Sequence, residues 1–206
     1  MAILSLLKSR STRPRSDAKD VDLDAAAPYI AEYVAAIDRT QDFGFEVPPR
    51  IIVHKDRVDM GAVRPVLLDY FERHEPEAMI GQTTAINFAL LPWLYDKTGI
   101  PFNLTIGWMV RDGKPIFQHD DALIRRLVEG KADAWRREGC PFHLWLTSPA
   151  CEVLDVTFAM NLGWAKTREQ CAALIVYQPA GQARSDSVYH PMLVGPDFFY
   201  KTGAVV

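Results

Sequence analysis

The sequence predicts an α+β protein in which helices come first and an antiparallel sheet follows. Two observations carry that expectation. Apolar residues recur at helical spacing through most of the chain before Gly99, and after it the period falls to two in a series of short segments. Turn and stop signals separate these segments.

The elements read off in order. "DLDAAAPYIAEYVAAIDRT" predicts a helix with Ile30, Val34 and Ile37 on its apolar stripe and Asp24 or Ala27 near its start. "RIIVHK" predicts a short strand, and "GAVRPVLLDYFERHEP" a second amphipathic helix carrying Val63, Val66, Leu67, Tyr70 and Phe71. A third helix runs through "GQTTAINFALLPWLYDKTGIP", with Pro92 as a mild kink and Gly99 as a left-handed stop. "FNLTIGWMV", "RDGKP" and "IFQH" form a hairpin, because Asp-Gly suits a tight turn with positive φ. "DDALIRRLVEGKADAWRREG" is a charged helix with an Asp N-cap and a Gly stop. "PFHLWLT", "CEVLDVTF", "AALIVYQP" and "VYHPMLVG" complete the strand set.

At 206 residues the chain fits one domain with a sizeable core. Residues 1–20 read as a flexible basic leader, since "KSRSTRPRSDAKD" is charged, Ser/Pro-containing and non-periodic. A net charge of −3 argues against a general nucleic-acid binder. No segment is long and apolar enough to be expected in a membrane, and the start does not read as a signal peptide. Three cysteines without paired spacing make a cytoplasmic, reducing compartment the expectation, with signal-independent export left open.

The stretch "FHLWLTSPACEVLDVTF" carries the chemistry. A hairpin centred on Pro149 sets His143 opposite Asp155, where Cβ atoms of opposed residues stand about 4.5–5.5 Å apart. The carboxylate would then orient the imidazole and leave its other nitrogen as a general base. Leu144, Leu146, Leu154 and Val156 alternate onto one face as a core surface. His143, Trp145, Val153 and Asp155 share the other, expected as the floor of a cleft. An ordinary His–Asp pair on a solvated face is the competing structural explanation.

A helix after "GQ" that ends in "GIP", then a strand, then His-x-Trp, then "LDVT" resembles the transglutaminase-like branch of the papain-like cysteine enzymes. That branch also holds arylamine N-acetyltransferases and bacterial peptidases. The resemblance covers residues 81–157 through motifs and their order. It implies a papain-like fold over residues 21–206, with the nucleophile helix packed on an antiparallel sheet. It also implies acyl transfer: peptide or amide hydrolysis, deamidation or transamidation. In such enzymes a thiolate at a helix N-terminus is favoured by the dipole and the unpaired N–H groups.

No cysteine stands at that helix start. Local register places the nucleophile position at Ala85, while counting back from "GIP" points to Thr84. Three explanations follow: a Cys-to-Ala replacement at position 85, a natural pseudoenzyme that binds peptide or protein through the same cleft, or Thr83 or Thr84 as nucleophile. Cys140, Cys151 and Cys171 are expected as small buried hydrophobes. Gln82 is either an oxyanion donor or a helix-start contact, and Thr84 and Trp145 would shape the cleft. His119 beside Asp120 and Asp121 is better explained by helix capping than by a metal, and neither a metal nor a cofactor is expected. Trp93, Trp108, Trp135 and Trp164 read as core or cleft walls. The expected partner is a peptide or protein.

Overall fold

The computed structural model describes residues 23–48, 57–74, 82–161, 167, 170, 175–179 and 186–205. The leader, the strand expected at "RIIVHK", Trp164 and Cys171 lie outside the described residues.

The chain opens with α1 (Leu23–Asp42), α2 (Met60–Glu72) and α3 (Thr83–Thr98). The hairpin β1 (Asn103–Arg111) and β2 (Lys114–Ile116) follows, then α4 (Asp121–Glu138), β3 (His143–Thr147) and β4 (Val153–Asp155). The short helix α5 (Phe158–Asn161), β5 (Val176–Gln178), β6 (Ser187–Val194) and α6 (Asp197–Lys201) complete the described elements. Three helices thus precede the first strand, α4 and α5 interrupt the strand series, and the strands form an antiparallel sheet that curls into a half-barrel.

Local chemistry accounts for most boundaries. Asp59 caps α2 by accepting from the Gly61 N–H, and Asp120 caps α4 by accepting from the Leu123 N–H. Gly99 ends α3 in the left-handed region at φ 70°. Asp112 and Gly113 both take positive φ, as a two-residue hairpin loop between Arg111 and Lys114 requires.

β1 is the centre of the sheet. Its first half pairs with β3 and its last three residues with β2, while β6 runs along both halves. β2 and β3 therefore lie end to end on one edge of β1, with β6 on the other. Beyond β3 come β4 and β5. At Gly107, where the β1–β6 register shifts, an added Cβ would stand 2.2 Å from the His190 carbonyl oxygen and 2.7 Å from the Trp145 ring. Only glycine allows that approach.

Both faces of the sheet are covered. On one, Leu104, Ile106, Leu144, Leu146, Leu154 and Val156 join Ile86, Leu90 and Leu94 of α3 and Val63, Leu67 and Phe71 of α2 in the main core. The expected apolar face of the β3–β4 hairpin is therefore the one that packs on α3. On the other face lies a second cluster of Met109, Trp145, Val153, Phe158, Val176 and Tyr189, against which Tyr29 of α1 packs.

The buried stripe of α1 corrects the expected one. Tyr33, Ala36 and Thr40 are buried, while Ile30, Val34 and Ile37 are only partly so. Thr40 Oγ1 accepts from the Val194 N–H at 2.9 Å, and the Tyr29 hydroxyl reaches both Trp145 and Thr147. Polar anchors rotate the helix toward this side, which an apolar count does not weigh.

Candidate functional site

The sequence-predicted residues fall into two separate places. His143 and Asp155 meet: Nε2 of His143 lies 2.6 Å from Oδ2 of Asp155. The register that brings them together differs from the expected one. Leu146 faces Leu154 and Thr147 faces Val153. Continued, this sets Trp145 level with Asp155 and places His143 diagonally from it. The turn is the reason. Cys151 takes φ 56°, its N–H donates to the Ser148 carbonyl at 2.9 Å, and the Ser148 N–H donates to the Glu152 carbonyl at 2.9 Å. The loop is Pro149, Ala150 and Cys151, centred one residue later than Pro149. The pairing therefore slips by two, which keeps every side chain on its expected face.

Asp155 is saturated. Oδ2 also accepts from the Tyr189 hydroxyl at 2.9 Å, and Oδ1 accepts from the Thr157 and Phe158 N–H groups, each at 3.0 Å. Burial alone would raise this carboxyl. The His143 ring beside it and the hydrogen bonds from His143, Thr157 and Tyr189 outweigh burial and hold it below the ordinary value. Burial, and then the Asp155 charge, push the Tyr189 hydroxyl well above its usual value, so it remains a donor.

The cleft expected over this pair is not there. His143 and Trp145 are both 0% exposed. The Trp145 Nε1–H donates to the Tyr29 hydroxyl at 2.9 Å, and that hydroxyl is bonded to Thr147 Oγ1 at 2.9 Å. Trp145 is therefore part of a sealed seam under α1 and not a cleft wall.

Ala85 lies elsewhere. Leu144 and Leu146 point toward α3, so His143 and Trp145, alternating with them, point away from it. The sheet stands between Ala85 and the imidazole. Ala85 is exposed at the first turn of α3 and borders a cavity of about 660 Å³, together with Gln82, Thr84, Phe88, Trp135 and Cys140. Gln82 occupies the N-cap position, but its side chain makes no capping hydrogen bond. Thr83 is buried in the helix, and Asn87 Nδ2 donates to its carbonyl at 2.9 Å.

The thiols depart from expectation in part. Cys151 is buried, and desolvation, with the Glu152 charge second, pushes its thiol up to about 12. Cys140 is exposed as a residue, contrary to expectation. Its sulfur lies 4.0 Å from Thr84 Oγ1, and desolvation there raises its pKa, so it is not an activated nucleophile.

The His119 neighbourhood is also structural. Its Nδ1 donates to the Phe117 carbonyl at 2.8 Å, Asp120 is the α4 cap, and Asp121 pairs with Arg39 at 3.1 Å. Among the described residues no group of three His, Cys, Asp or Glu side chains is arranged to hold a metal ion, and no helix is long and apolar enough to cross a membrane.

Three participants escaped the sequence reading. Tyr189 completes the Asp155 shell from β6, and Tyr29 seals Trp145 from α1. Glu152 is fully buried and accepts from the Tyr177 hydroxyl at 2.6 Å, the Val58 N–H at 2.9 Å and the Ser148 hydroxyl at 3.2 Å. A charged residue inside the apolar run "ACEVLDV" was the available signal for Glu152. The tyrosines gave none, because their partners lie more than a hundred residues away or on another strand.

Comparison with family models, with curated proteins and with solved structures finds no match to this chain.

Proposed function

We propose that the protein is a binding module on a transglutaminase-like scaffold, taking a peptide or protein segment into the cavity at the start of α3. One observation carries the proposal. Position 85, where the resemblance implies a thiol, opens onto a cavity with aromatic walls, while the only paired imidazole of the motif is sealed beyond the sheet. Among the described residues that line the cavity there is no His, Asp, Glu or Lys to act as a base, which favours binding over turnover. Phe88, Trp135 and Phe199 offer an apolar anchor pocket, with Gln82 and Arg136 at polar positions on its wall. The papain-like assignment belongs to the same proposal. It is supported by the motif order and by α3 packing on β1 and β3.

The acyl-transfer reading retains one supporting observation, the 2.6 Å His143–Asp155 contact. Two measurements separate the readings. The amphipathic probe 1-anilinonaphthalene-8-sulfonate binds with enhanced fluorescence, and Ala85→Trp, which fills the mouth of the cavity, weakens that binding at least ten-fold without lowering stability. Equal binding by the variant defeats the binding site. In a Cys140→Ser background, Ala85→Cys reacts with iodoacetamide as an ordinary thiol titrating near 8.5. Alkylation that stays fast down to pH 5 would show an imidazolium-paired thiolate and restore the enzyme.

A further inference from the structure

Four aromatic rings surround the His143 imidazole. Phe117 lies parallel to it, 10° between planes and 5.8 Å between centroids, and Trp145, Phe158 and Tyr189 close the other sides. Trp145, Phe158 and Tyr189 are each at most 2% exposed. Phe117 is the one of the four that reaches the surface.

The ring nitrogens are not equivalent. Asp155 accepts four hydrogen bonds, one of them from Nε2, so the Nε2 proton is fixed in place. Nδ1 is buried and has no hydrogen-bond partner among the described residues. A buried polar nitrogen left unpaired is costly and calls for an explanation.

Phe117 is poorly held. It follows Ile116, the last residue of β2 to pair with β1, at the gap where β2 stops and β3 begins. Its φ of 58° lies in the left-handed region, which a bulky side chain rarely occupies. Among the described residues, the one hydrogen bond to its carbonyl comes from the neighbouring His119 ring.

We infer that Phe117 is a displaceable cover over a latent imidazole site. With the ring swung out, a small aromatic ligand stacks beside the imidazole in its place. A neutral donor such as a hydroxyl, carried outside that ligand's ring, reaches the imidazole edge to donate to His143 Nδ1, whose lone pair lies in the imidazole plane. Asp155 and Tyr189 hold the imidazole still while the cover moves. The site is distinct from the α3 cavity, and either proposal stands or falls without the other.

Diethyl pyrocarbonate, with modified histidines mapped by mass spectrometry, tests the cover in the full chain. In the wild type, His143 reacts slowly, at a rate that sub-denaturing urea leaves unchanged, because opening one ring exposes little surface. A rate that climbs with urea in step with global unfolding overturns the proposal. In Phe117→Gly, where glycine accepts the left-handed backbone, His143 reacts at least ten-fold faster. Benzyl alcohol slows that reaction and raises the Tm of the variant more than toluene does. Equal effects of the two compounds would show that Nδ1 takes no donor.

Discussion

Asp155→Asn is the substitution that reports most directly on what the His143–Asp155 pair does. The asparagine oxygen keeps the Thr157 and Phe158 N–H groups, while its amide nitrogen faces His143 and Tyr189, both of which donate to Asp155 in the native protein. Tyr189 must rotate its hydroxyl to accept. His143 must move its proton to Nδ1, inside the aromatic enclosure. Hydrogen bonds to a charged group contribute roughly 1.5–3 kcal/mol and neutral ones roughly 0.5–1.5. Four bonds therefore lose about 1 kcal/mol each, partly offset because a neutral amide is cheaper to bury. The net loss is about 3 kcal/mol, or a Tm lower by roughly 6–12 °C for a chain of this size. Thermal melts at pH 7 measure it. The pH dependence has a definite sign. Asp155 is held below its unfolded value, so its stabilisation is complete above that value, about 3.9, and is lost as pH falls through the folded one. The gap between wild type and variant accordingly narrows below about pH 4. A Tm within 2 °C of wild type at pH 7 would refute the reasoning, since roughly that shift is all a solvated surface pair provides.

Two further substitutions test other local conclusions. Lys131 is exposed and sits inside α4 at φ 46°, ψ −138°, a region that favours glycine, so Lys131→Gly raises stability by about 1 kcal/mol in urea denaturation; a loss of stability would show that the kink is not strained. Glu152 is raised above its ordinary value by desolvation, against the opposing bonds from Tyr177, Val58 and Ser148, so its favourable contribution is full below about pH 4.3 and fades as pH rises through the folded value. Glu152→Gln consequently gains on wild type between pH 4 and pH 7 in urea midpoints, and a constant difference across that range would show that the carboxylate is not penalised by burial.

The parts of the fold that depend on periodicity were legible. Leu144, Leu146, Leu154 and Val156 reached the core face because a strand's period of two survives a slip of two residues. The slip itself was hidden in Cys151, since nothing in "SPAC" demands a left-handed cysteine. The side of α1 that packs was misjudged because Tyr33, Ala36 and Thr40 are chosen by hydrogen bonding and close approach, while Ile30, Val34 and Ile37 outrank them only in apolar character. Phe117 carried no signal at all. Its importance arises from β2 and β3 ending on the same edge of β1, a fact of topology and not of the residues around it.

The misreading of the His143 face is the more instructive one. Alternation of polar with apolar residues marks the two faces of a strand, and on a sheet open to water the polar face is the wet one. Here α1 lies over that face, so its polar groups must satisfy one another. Trp145 bonds Tyr29, Tyr29 bonds Thr147, Thr147 bonds Thr105, and Asp155 gathers His143 and Tyr189. A carboxylate orienting an imidazole is therefore needed by a buried polar seam as much as by a catalytic site, and sequence spacing alone does not separate the two. What separates them is the fate of the second nitrogen. In a catalytic site it faces a reacting group, and in a finished seam it faces a partner; His143 Nδ1 finds neither among the described residues, and Phe117, stacked against the imidazole, is the one of the four rings around it that touches solvent.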